Sequence, residues 1–164
     1  MAMSLLVRKI EKAKWMQNDI LAGEDVSADA ITNCMKTTGN TLSTWLIRAW
    51  DEIPEAVLAI VSSHQHLDSI DIVCLERSLL ERQGMDLRST PGATPVKDLI
   101  DHHIDISNLA YRSLGTVANH IVNEIKQERT VRYTKGMIKK ILNSAINDGR
   151  ITKSDLHESV RAKL

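Results

Sequence analysis

The spacing of apolar residues changes once along this chain, and that change limits the folds open to it more than any other feature. Across 69–75, Ile70, Ile72 and Cys74 alternate with Asp71 and Val73, a two-residue repeat that gives a strand one buried face. After residue 95 the repeat lengthens to three and four: Val96, Leu99, Ile100 and Ile104, then Leu109, Leu114, Val117, Ile121, Val122 and Ile125, then Met137, Ile138, Ile141, Leu142, Ala145 and Ile146. Between the two regimes, 88–95 holds Pro91, Gly92 and Pro95 and predicts a surface loop and a boundary. The expectation is an α+β fold, with a small mixed sheet and helices in 1–88 and a predominantly helical 89–164, packed as one compact domain. An all-α fold is the alternative.

Local signals refine this picture. The stretch 4–10, Ser-Leu-Leu-Val-Arg-Lys-Ile, reads as a first strand or the start of a short helix, and 41–47, with Thr41, Thr44, Trp45 and Ile47, as a second strand. Strands are expected in the first half only. Ser27 is placed to cap a helix over 28–36 that ends at the turn residues Gly39-Asn40, and Pro54 suits the first turn of a helix carrying Ala56, Val57, Ile60 and Val61. Thr94 followed by Pro95 is a start signal for a helix through Ile104, and the next stripe continues it as one long helix or two joined near 105–107. A third helix stops at Asn147-Asp148-Gly149, after which Thr152 and Asp155 form a capping-box pattern.

The total charge is zero, from 21 Lys+Arg and 21 Asp+Glu, which argues against a whole-surface attraction to nucleic acid or anionic membrane. Its distribution is uneven. Residues 51–105 carry 4 basic and 11 acidic side chains, a net −7, and residues 126–164 carry 10 and 4, a net +6. Such halves attract one another within a molecule, attract a second copy, or face different partners. The two cysteines, Cys34 and Cys74, stand far apart and fit buried reduced thiols. No apolar run approaches the roughly 18 residues of a membrane helix. Arg8, Lys9, Glu11 and Lys12 interrupt any signal-like start, so a cytoplasmic location is expected.

Four of the six histidines fall in two clusters with nearby carboxylates, good divalent-metal ligands at close spacing: His64, His66 and Asp68, and His102 and His103 between Asp101 and Asp105. The first resembles the His-x-His-x-Asp-His signature of metallo-β-lactamase-like hydrolases, with Ser69 where the last His belongs. The second resembles the Asp-His-His element of DHH-type phosphoesterases, without its companion acidic motifs. Neither licenses carrying residues over. Turn histidines at 64 and 66 are expected polar surface in any fold, and His102 and His103 on consecutive helix positions would point about 100° apart. No nucleophile elbow and no Gly-rich phosphate loop is present, so no cofactor is expected.

Arg129, Arg132, Lys135, Lys139 and Lys140 form the densest basic run, which is either a phosphate-facing patch or the solvated face of an amphipathic helix. Trp45 is expected in the core, while Trp50, beside Asp51 and Glu52, is the better anchor for a partner. The preferred expectation is a non-enzymatic protein-interaction module, binding a protein partner or a second copy of itself. The alternatives are a nucleic-acid-binding regulator using 126–153, and a metal-dependent hydrolase built from the two histidine clusters.

Overall fold

In a computed structural model, residues 4–17 and 25–164 are described. Six strands form one sheet: β1 (Leu5–Ile10), β2 (Leu42–Ile47), β3 (Ile70–Glu76), β4 (Asp86–Ser89), β5 (His103–Ser107) and β6 (Thr130–Tyr133), in the order β4-β5-β2-β1-β3-β6. Every pairing is antiparallel. Around it lie α1 (Lys12–Trp15), α2 (Ala28–Cys34), α3 (Ile53–Val61), α4 (Arg77–Arg82), α5 (Tyr111–Lys126), α6 (Lys135–Asn147) and α7 (Glu158–Arg161). The α+β class is therefore as expected, and the second half is mostly helical.

Both faces of the sheet are covered. On one, Leu5 and Val7 of β1, Trp45 and Ile47 of β2 and Ile70, Ile72 and Cys74 of β3 pack with α3, α6 and α7. On the other, Leu6 and Ile10, Leu42, Val73 and Leu75, and Ile104 and Ile106 pack with α1, α2, α4 and α5. A strand in the middle of three layers buries side chains on both sides, so the alternation expected of β3 is overridden. Asp71 and Val73, read as its solvent face, are 9% and 0% exposed. Asp71 tolerates this because Arg132 of β6 donates to both its carboxylate oxygens, at 3.0 and 3.1 Å.

Two expectations fail in the second half. The helix predicted through Ile104 is a 3-10 segment, Lys97–His102, followed by β5, so 105–107 lies within a strand rather than at a helix joint. The apparent helical stripe is two patterns end to end. Val96 and Leu99, three apart, seat the 3-10 turns in one core, while Ile104 and Ile106, two apart, enter the other. Strands are consequently not confined to the first half, because β5 and β6 both come from the second and bond to β2 and β3. His103 opens a strand and does not share a helix with His102.

Other signals act as read. Ser27 Oγ caps α2 by accepting from Ala30 N, and Pro54 stands in the first turn of α3. The third helix, α6, ends as read, at Asp148 with Gly149 at φ +71°, and its start is capped by Thr134, a signal the sequence reading did not use. Part of the charge imbalance is met inside the molecule: Arg132 pairs with Asp71, Lys135 with Asp68, and Arg150 with both Glu55 and Asp98. Each pair joins the basic tail to the acidic middle.

Candidate functional site: a fork in the sheet

The pairing of β1 with β2 ends at Val7↔Trp45. Beyond that point each strand keeps its outer neighbour, β1 bonding to β3 as far as Ile10↔Asp71 and β2 to β5 as far as Leu42↔Ile106. The sheet therefore forks. Thr44 Oγ1 holds β2 to the β5 side by donating to the Ile104 carbonyl at 2.6 Å. A cleft of about 480 Å³ occupies the fork, lined among others by Arg8, Lys9, Glu11, Cys34, Trp45, His64 and His103. That volume is within the range typical of small-ligand sites.

Arg8 spans the gap. Its Nε and Nη2 donate to the Cys34 carbonyl at the end of α2, at 3.1 and 2.5 Å, and its Nη1 donates to the Ser43 carbonyl of β2 at 2.7 Å. A guanidinium has five N–H donors, so two remain without a protein partner among the described residues. Arg8 contacts no carboxylate there either, and burial pushes its pKa down to about 10. It stays charged at neutral pH. Lys9, next along β1, is exposed and likewise makes no ion pair among the described residues.

His64 follows the C-terminus of α3, where its backbone N–H donates to the Val61 carbonyl. Burial, assisted by the Lys9 charge and opposed by Asp68, pushes its pKa down to about 4, so the ring is neutral at pH 7. His103, 8% exposed, packs edge-on against Trp45 with centroids 5.1 Å apart. Its Nδ1 lies 2.8 Å from Thr90 Oγ1, which in turn donates to Asp105 Oδ2 at 2.8 Å. Gly92 lets the following loop close over this pair: a Cβ there would sit 2.8 Å from Trp45 Cζ3 and 3.0 Å from His103 Cβ. Cys34 is buried, and its Sγ accepts from the Glu11 backbone N–H at 3.2 Å.

Of the two histidine clusters, the fold brings one member of each, His64 and His103, to the cleft. His66 is exposed, Asp68 pairs with Lys135 at 3.3 Å, and His102 ends the 3-10 segment. Among the described residues no three His, Cys, Asp or Glu side chains are grouped to hold a metal ion. In the basic run, Arg129 pairs with Glu124, Arg132 with Asp71 and Lys135 with Asp68, leaving Lys139 and Lys140 without an ion pair among the described residues. Trp45 is 7% exposed and Trp50 is 40% exposed. Cys74 is buried, which pushes its thiol up to about 12.

Sequence reasoning missed Arg8 and Lys9 as site residues. A signal was available, since two adjacent cations interrupt an otherwise apolar central strand. No protein-family model, curated protein or solved structure matches the chain.

Proposed function

We propose that this protein is a non-enzymatic binding module that takes a small anionic ligand into the fork between β1 and β2. The observation that carries the reading is Arg8. A part-buried guanidinium held, among the described residues, only by neutral carbonyls is left short of charge compensation, and an anion supplies it. Two N–H groups unused among the described residues and a cleft of small-ligand size that Lys9 also lines support the same class of ligand. The buried unbridged thiols agree with work in a reducing, cytoplasmic compartment.

The test is a titration with phosphate monoesters and simple carboxylates, followed by calorimetry and amide chemical shifts. The reading expects saturable binding that weakens with salt, shifts centred on residues 8–11, 34, 64 and 103, and at least a tenfold loss in Lys9→Glu. Absence of saturable binding by every anion at low salt overturns it.

A second reading, attachment to a protein partner or a second copy, is favoured by the exposure of Trp50, 40% on the turn between β2 and α3. It expects sedimentation of the purified protein to show concentration-dependent association that Trp50→Ser removes. A monomer at all concentrations removes the second-copy form.

A further inference from the structure

The hydrogen-bond pattern around His103 says more about the ligand than its charge does. Thr90 has one hydroxyl hydrogen, and it goes to the Asp105 carboxylate, which accepts only. Toward His103, Thr90 Oγ1 is therefore the acceptor, and His103 Nδ1 carries the hydrogen. In the neutral ring Nε2 is then a bare lone pair. It has no hydrogen-bond partner among the described residues. Nor is it sealed among them, for the only buried side-chain nitrogen or oxygen there lacking a partner is Trp15 Nε1. His103 is one of the residues that line the cleft.

The cleft thus offers donors and charge at Arg8 and Lys9 and a fixed acceptor at His103. Arg8 and Lys9 outnumber the one lining carboxylate, Glu11, so the cleft is net positive and complements an anion. Size bears on the rest of the ligand. At about 480 Å³ the cleft has room for an organic part beside the anionic group. Resting on the anion reading above, we infer that the ligand is a phosphate monoester whose organic part carries a hydroxyl or N–H donor, the phosphoryl group meeting Arg8 and the donor meeting His103 Nε2, with Lys9 adding to the positive field of the cleft.

The experiment compares methyl phosphate, a dianion without a donor above its second pKa of about 6, with glycerol 3-phosphate and ribose 5-phosphate at pH 8. Binding to the wild-type protein, His103→Phe and Lys9→Met is measured by calorimetry. The wild type is expected to hold the hydroxyl-bearing esters at least about fivefold more tightly than methyl phosphate, the worth of one hydrogen bond. His103→Phe, which keeps a ring against Trp45, abolishes that preference. Lys9→Met weakens all three alike.

Equal wild-type affinities for the three esters would overturn this inference while leaving the anion reading standing. Failure of all three to bind, with carboxylates still binding, would do the same; failure of every anion overturns both. Ring-nitrogen chemical shifts of the wild-type protein give a check independent of any variant's folding. The Nδ1–H form is expected in the free protein, and the Nε2–H form would contradict the assignment. Thr90→Val should loosen that tautomer preference and reduce the preference for hydroxyl-bearing esters with it.

Discussion

Two arginines in this fold bridge separate elements, and their surroundings are opposite. Arg150 ties the end of α6 to α3 and the 3-10 segment through Glu55, at 2.6 and 3.2 Å, and Asp98, at 2.6 Å. These hydrogen bonds, Glu55 first, hold its pKa above the usual arginine value, and Asp98 falls below the usual carboxylate range. Arg8 bridges β1, β2 and α2 through two carbonyls and meets no carboxylate among the described residues. Burial lowers its pKa to about 10. A cation satisfied by the chain's own carboxylates is a clasp. One held in place but left electrostatically unsatisfied is poised for an external anion.

The comparison can be broken most forcefully through the closed part of the sheet. Leu6, fully buried where β1 is paired on both sides, should cost about 2–5 kcal/mol as Leu6→Ala in a denaturant titration. Arg150→Met should cost about 1 kcal/mol, discounted for the partial exposure of all three partners, and the loss should shrink in high salt. Arg8→Met is expected to change stability by less than about 1 kcal/mol, because relief of the desolvated charge offsets two carbonyls losing a donor. Anion binding should nevertheless be lost. If Arg8→Met destabilises as much as Leu6→Ala, the guanidinium is a structural clasp after all.

A pH measurement sharpens the same contrast. The folded-state pKa of His64 lies near 4, below its unfolded value of about 6.5. Between those values the unfolded chain binds the extra proton, so His64's contribution is present above pH 6.5 and is lost as pH falls toward 4. His64→Phe should flatten this part of the stability profile. The smallest effect concerns the thiols: burial raises the Cys74 pKa to about 12, so alkylation of the folded protein at pH 8 should leave Cys74 unmodified.

Much of the scaffold is legible from local patterns. The strands at 5–10, 42–47 and 70–76, the capped start of α2, the proline in α3 and the stop at Gly149 all follow from spacing and turn chemistry. Strand β5 does not, because His103, Asp105 and Ser107 alternate with only two isoleucines and abut a 3-10 turn whose spacing completes a false helical stripe. Nor is the double-sided burial of β3 visible locally, since it depends on helices from both halves. The site is half legible. Histidine clustering marks His64 and His103, but their meeting depends on a fork between strands, and the charges at 8 and 9 read locally only as interruptions of an apolar run.

Arg8, which has no carboxylate partner among the described residues, is proposed to meet an anion, and the most direct measurement follows its own side-chain N–H signals during a titration with glycerol 3-phosphate at low salt. Saturable shifts of the Arg8 Nε–H and of the Lys9 and His103 resonances, with one common affinity, are the predicted result. An Arg8 signal that stays fixed while the ligand binds elsewhere, or no binding at all, would contradict the account.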